Sequence, residues 1–216
     1  MVNTILKPLI SGLLGLPTIS LAEDLGAMWG TAEAEAEYYP LVEIPIPPEV
    51  PMHPGSFEIL PDQKMAVGTR RGDIYVLSGV FETPPNPTYE IFASGQDEIF
   101  GLSWQDGALT ATQFGEITRI KDTNGDGSAD QFNVLTNNWG YAEGHEFAFG
   151  SKHDPDGNIW VALGLSGSYK SHNLFRGWAV KVTPDGKMIP VCSGLRSPGG
   201  VAANAEGVMF AIESQG

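Results

Sequence analysis

The chain is short of the residues on which several whole classes of function depend. Cysteine is nearly absent: Cys192 is the only one in 216 residues, so no internal disulfide can form, and no Cys-x-x-Cys-His haem attachment or thiolate metal cluster exists. Basic residues are scarce, with 12 Lys and Arg against 26 Asp and Glu and a net charge of −14. A surface this acidic repels phosphate backbones and anionic lipid, which argues against nucleic-acid or membrane-surface binding, whereas acidic clusters can hold hard cations. No Gly-x-Ser-x-Gly elbow, phosphate-cradling glycine loop or His-Glu-x-x-His pair occurs, so hydrolase, nucleotide-binding and zinc-protease chemistry has no support. After Ser56 no dozen-residue stretch carries the i, i+3, i+4 apolar spacing of a helix, which excludes a helical solenoid.

What is present begins with Lys7, then the apolar run Pro8 to Leu21 and the small-residue site Ser20-Leu21-Ala22. Gly12, Gly15 and Pro17 break that run, and it is shorter than the roughly 20 residues that span a bilayer, so residues 1–22 read as a secretory signal peptide. Cleavage would remove Lys7 and no acid, leaving a secreted or periplasmic protein without membrane insertion. Residues 23–55 hold Pro40, Pro45, Pro47, Pro48, Pro51 and Pro54, a density that forces extended backbone. They read as a lead-in strap whose first piece, the Ala-Glu repeat of residues 32–37, suits a short helical turn.

From residue 56 to 216 short β-branched and aromatic runs alternate with turns. Four turn signals recur, at Pro61-Asp62, Asp106-Gly107, Asp156-Gly157 and Glu206-Gly207, with their acids 44, 50 and 50 residues apart. Such a period marks propeller blades. A strand follows each turn, at 65–69, 109–112, 159–163 and 209–212, and a second follows in three repeats, at 72–77, 115–120 and 177–182. The expectation is an all-β chain: a partial β-propeller of four-stranded antiparallel sheets, supplying three to four blades of a six-bladed ring and stopping before that ring closes.

The segments Leu60 to Gly72, Gly101-Leu102-Ser103-Trp104, Asp154 to Trp160 and Ser193 to Gly200 resemble the soluble pyrroloquinoline-quinone (PQQ) glucose and sorbosone dehydrogenase propellers. The nearest likeness is to large secreted bacterial "membrane-bound dehydrogenase" proteins that join such a propeller to a C-terminal cytochrome c module. The resemblance implies a quinone-dependent dehydrogenase of a sugar or related alcohol, with a cytochrome c as electron acceptor. His145 matches the family histidine that takes the proton from the sugar's anomeric hydroxyl, a task within reach of a neutral imidazole. Arg196 matches an arginine stacked on the quinone, with Ser197 standing where the family has asparagine, and Gln96 matches a substrate-contacting glutamine.

Read from the residues themselves, these positions keep other meanings. His145, between Gly144 and Glu146, is equally a hydrogen-bonded loop histidine, and the protein equally a non-catalytic propeller that binds glycans or proteins. Asp122, Asn124, Asp126, Ser128 and Asp130 place oxygens at the spacing of a calcium loop, with Gly127 at its sixth position; the competing reading is a turn whose side chains cap their own backbone. Trp104, Trp139, Trp160 and Trp178 read as core, with Trp139 also a candidate for lining a sugar site. Arg70, Arg71 and Arg176 read as blade-edge ion pairs.

Overall fold

The structure, a computed structural model, describes residues 35–142, 145–165 and 171–214, and the chain divides into two units, Met1–Glu43 and Ile44–Gly216. The signal-peptide reading of residues 1–22 lies outside the described residues. In the first unit, the Tyr38 and Tyr39 N–H groups donate to the Glu35 carbonyl and close one helical turn. Among the described residues, no helix is long and apolar enough to cross a membrane.

The second unit is built of antiparallel sheets taken in chain order. The first holds β1 (Pro54–Leu60), β2 (Lys64–Thr69), β3 (Ile74–Ser78) and β4 (Thr88–Ala93); the second β5 (Gly101–Gln105), β6 (Ala108–Thr112), β7 (Ile117–Lys121) and β8 (Gln131–Thr136). The third holds β9 (Ala148–His153), β10 (Ile159–Leu163), β11 (Trp178–Val182) and β12 (Met188–Ser193), and the fourth the pair β13 (Pro198–Ala203) and β14 (Met209–Glu213). Strands pair only with their sequence neighbours, so this is the up-and-down sheet of a propeller blade repeated along the chain. Each of the four recurrent turn signals joins the first two strands of a sheet. Asp62, Gln63 and Asp106 take the left-handed backbone there, with φ of 60°, 57° and 51°.

The sheets pack face to face. Between the first and second lie Ala66, Ile74, Phe92, Ile99, Leu109 and Ile120; between the second and third lie Ile117, Val161, Leu163 and Val180. Leu109, Ile117 and Ile120 are fully buried, and each such side chain contributes about 1.5–3 kcal/mol by leaving water. The outer face of the first sheet buries Val67, Tyr75 and Leu77 beneath Ile44, Val50 and Met52, while the Tyr89 hydroxyl donates to the Pro45 carbonyl. Strand β6 is buried at all five positions, because sheets cover it on both sides.

The first strands β1, β5, β9 and β13 are neighbours in sequence order along a common axis. Their approach is set by glycine: a Cβ on Gly101 would overlap the Gly150 carbonyl oxygen, one on Gly55 the Ile99 carbonyl, and one on Gly150 the Val201 side chain. These strands line an open axial cavity of about 270 Å³.

Candidate functional site

Because the strands alternate in direction, the connections alternate between the two ends of the sheets. One end collects residues 70–73, 94–100, 113–116, 137–142, 145–147, 164–165, 171–177 and 194–197, and the other collects the recurrent turns together with residues 79–87, 122–130 and 183–187. Gln96, His145 and Arg196 all fall at the first end, in separate connections. Asp122, Asn124, Asp126, Ser128 and Asp130 fall at the second.

Gln96 belongs to a buried amide network. Gln113, 3% exposed, donates from Nε2 to Gln96 Oε1 (3.1 Å), Glu116 Oε1 and Thr118 Oγ1, and its own Oε1 accepts the Asp97 N–H at 2.6 Å. Gln113 therefore fixes the β4–β5 connection against the β6–β7 turn and holds Gln96 by its amide oxygen.

Beside Gln113 lies an aromatic floor. The Phe100, Phe114, Phe147 and Phe149 rings meet at centroid distances of 4.7–5.7 Å, and Tyr141 lies 5.2 Å from Phe114. The Arg70 guanidinium stands 5.4 Å above Phe100 and 5.7 Å above Phe147, steered by an ion pair from its Nε to Glu98 at 2.7 Å. Arg70 is thus more than a blade-edge ion pair: it is a half-exposed cation held over two rings, an arrangement favourable for a planar guanidinium.

His145 is exposed, and its imidazole has no hydrogen-bond partner among the described residues. The loop that carries it is held from below. Arg176 is buried and donates from Nε to the Gly140 carbonyl and from its terminal nitrogens to the Phe147 and Phe114 carbonyls, at 2.9–3.0 Å. Its charge faces Glu146, 1% exposed, at 4.0 Å. Glu146 accepts the Ala142 N–H, the Ser171 hydroxyl and the Asn173 amide. Burial would raise the Glu146 carboxyl, but these hydrogen bonds and the Arg176 charge outweigh it, and the net shift is downward. Burial pulls Arg176 down to about 10, still cationic at neutral pH. The blade-edge reading of Arg176 is corrected accordingly: a guanidinium that satisfies three carbonyls and a carboxylate is part of the core. So is Trp139, 3% exposed, with Nε1 donating to the Phe114 carbonyl at 2.8 Å, which removes it as a sugar-lining ring.

Arg196 lies in the 194–197 connection between β12 and β13. Its N–H donates to Glu213 at 2.7 Å, its carbonyl accepts the Leu165 N–H, and Ser197 N–H also reaches Glu213. Gly164, adjoining Leu165, donates to the Phe147 carbonyl, so the Arg196 segment is coupled to the aromatic floor through one strand end.

At the opposite end the 122–130 loop uses its side chains on its own backbone. Asp122 accepts the Gly125 and Gly127 N–H groups, Asn124 that of Asp126, Asp126 that of Ser128, and Asp130 both the N–H and hydroxyl of Thr123. The Gly127 bond leads in holding the Asp122 carboxyl below the usual range. Among the described residues, no group of three His, Cys, Asp or Glu side chains converges as a metal site. Ala129 tucks into the first core and its N–H reaches the Phe92 carbonyl, so the loop fastens the second sheet to the first.

Solved structures share this architecture. The PQQ-bound aldose sugar dehydrogenase of Streptomyces coelicolor aligns over 75% of this chain with a TM-score of 0.58 and 19% identity; the holo PQQ domain of pyranose dehydrogenase from Coprinopsis cinerea aligns over 75% with 0.59 and 12%. An oxidoreductase of glucose-dehydrogenase type from Thermus thermophilus aligns over 74% with 0.56 and 19%. The chain spans 56%, 44% and 57% of those structures respectively. At such identities the likeness establishes the fold, a β-propeller of the kind used by PQQ-dependent sugar dehydrogenases. No protein of curated function matches the chain. A model of a domain of unknown function, DUF7133, matches residues 90–216, more than half of the sequence, and the chain belongs to that family.

Proposed function

We propose that this protein is a quinone-dependent dehydrogenase of a sugar or related alcohol, with its site at the end that gathers Gln96, His145 and Arg196. The observation that carries the proposal is the gathering at one end of the sheets of an exposed imidazole, without a hydrogen-bond partner among the described residues, an aromatic floor and guanidinium groups in an otherwise acidic chain. Four of the five arginines, Arg70, Arg71, Arg176 and Arg196, belong to connections at this end.

The donor set suits PQQ, a planar group bearing carboxylates: Arg196 and Arg70 offer flat cationic forks, and Phe100 and Phe147 offer ring faces. When bound, PQQ supplies the acceptor for the hydride that leaves the carbon of the alcohol. His145 takes the hydroxyl proton, as a neutral imidazole in contact with solvent can. The Gln96 amide orients the substrate hydroxyls, and the Gln113 network prevents it from turning away. The Glu146–Arg176 clamp fixes the backbone on either side of His145, at Ala142 and Phe147. The proposal includes export to the periplasm or exterior, a cytochrome c as electron acceptor, and calcium at the 122–130 loop serving stability, since that loop stands at the far end from His145.

The test is titration of the full chain with PQQ while quinone absorbance and aldose-dependent dye reduction are followed. Saturable binding is expected, weakened about tenfold in Arg70→Ala by loss of one charge-assisted contact, with turnover abolished in His145→Ala and PQQ binding retained. Absence of quinone binding by the folded protein would overturn the dehydrogenase reading in favour of a glycan- or protein-binding propeller.

A further inference from the structure

A second cavity, of about 220 Å³, lies between the second and third sheets at the end opposite His145. Its walls come from different sheets. Arg119, on β7, stands in register between Thr110 of β6 and Asn133 of β8, and together with Thr110 and Gln105 it lines one wall. His153, the last residue of β9, lines the other. Leu135 and Ile159 make the apolar base, and Asp106 and Asp156 stand on the turns at the mouth.

Arg119 is partly buried, yet among the described residues no carboxylate and no hydrogen-bond acceptor lies within bonding distance of its guanidinium. Elsewhere in the chain Arg70 is paired with Glu98 and the buried Arg176 faces Glu146. A guanidinium withdrawn from water is normally paired, because the lost hydration must be replaced. Here its neighbour across the cleft is instead His153, half-buried, whose imidazole is held below its ordinary value by burial and then by the charges of Arg119 and Lys152, with Asp106 and Asp154 opposing. The cleft thus presents N–H donors from two walls, beside the Asp106 and Asp156 carboxylates of the adjoining turns.

We propose that this cleft binds a small tetrahedral oxyanion of the phosphate or sulfate type, held by the Arg119 guanidinium on one wall and the His153 ring N–H on the other. A tetrahedral anion directs oxygens toward both walls at once, whereas a carboxylate directs both of its oxygens to one side. The site is independent of the dehydrogenase reading, since it shares no residue with the His145 end.

The proposal is tested by titrating the full chain with sodium phosphate against sodium chloride at equal ionic strength, following the His153 side-chain resonances by NMR. Saturation with a dissociation constant of about 1 mM is expected, the scale of two or three charge-assisted hydrogen bonds. Arg119→Ala should weaken binding at least about tenfold. Asp106→Asn and Asp156→Asn change exposed turn residues, leave the core untouched, and should tighten it severalfold by removing like charge from the mouth. A response that does not saturate, one that neither Arg119→Ala nor the Asn variants alter, or acetate binding as tightly as phosphate would overturn the assignment.

Discussion

At the residue scale, the proposed base and its support differ in how readily they could be found. His145 is visible in the sequence as a histidine in a loop, and its role is tied to a matching motif. Arg176 and Glu146 are separated by 30 positions, and nothing in spacing or composition brings them together. Their pairing depends on the third sheet's long β10–β11 connection folding back over the β8–β9 connection, which is tertiary information. Arg70 and Phe100 escape the sequence for the same reason, since they come from different connections, 30 positions apart. The Glu146–Arg176 pair makes a pH-dependent prediction. The folded Glu146 carboxyl lies below its unfolded value, so the stabilisation is complete above the ordinary carboxylate range near pH 4.5 and is lost as pH falls through the lower, folded value. Melting temperature should therefore fall on acidification below about pH 4.5 in the parent protein, and Glu146→Gln should flatten that part of the profile. At pH 7 the same variant should cost about 3–5 kcal/mol, because it leaves the buried Arg176 without its counter-charge. A denaturant titration that finds less than about 1 kcal/mol would show that the three carbonyls suffice for Arg176.

At the element scale, turn chemistry made the architecture legible. Acid-Gly pairs, Asp-Gly at 106–107 and 156–157 and Glu-Gly at 206–207, place glycine at the left-handed position at no steric cost, so these turns declare themselves, and the strands after them follow within one or two residues of the observed bounds. The first strand of each sheet was harder to see. Strand β9, Ala-Phe-Gly-Ser-Lys-His, carries Gly150 and three polar residues, a poor strand by propensity, and exists because β10 supplies its ladder while the Phe100 carbonyl accepts the Gly150 N–H on the other side. Its signal was present as glycines at 55, 101, 150 and 199, one at each axial strand, a repeat parallel to that of the turns. At Gly55 and Gly101 the missing side chain sets the approach of main chain to main chain, which gives a contrast between two substitutions. Gly101→Ala meets backbone that cannot move aside, and should cost more than about 3 kcal/mol or prevent folding. Gly107→Ala, at φ of 73° with open space around it, should cost only about 1 kcal/mol of backbone strain. Equal losses in thermal unfolding of the two variants would show that the axial strands separate easily, and with them the axial cavity.

At the scale of the whole molecule, the sheets between their neighbours are well covered, and the outer face of the first sheet is covered over β2 and β3, whereas β1 and β14 carry exposed apolar side chains. Phe57 and Ile59 of β1 are 60% and 67% exposed at one limit of the stack, and Phe210 and Ile212 of β14 are 53% and 58% exposed at the other. Within each pair the two residues lie two apart on one strand and so share a face, and each pair points away from the adjoining sheet, where Glu58 and Val201 make the inward contacts. Apolar residues clustered on a sheet face, unlike single exposed side chains, drive association. The net charge of −14 works in the opposite direction by mutual repulsion, and salt screens that repulsion within about 10 Å at 0.1 M. The two effects together predict that the protein self-associates increasingly as salt is raised. They also predict that Phe57→Ser with Ile59→Thr, or Phe210→Ser with Ile212→Thr, restores a monomer without lowering the melting temperature, since neither pair contributes to a buried core. Sedimentation velocity across a salt series distinguishes the cases: association that persists in both double variants would place the sticky surface elsewhere, with the exposed Ile91 and Phe132 at the outer strands next in line.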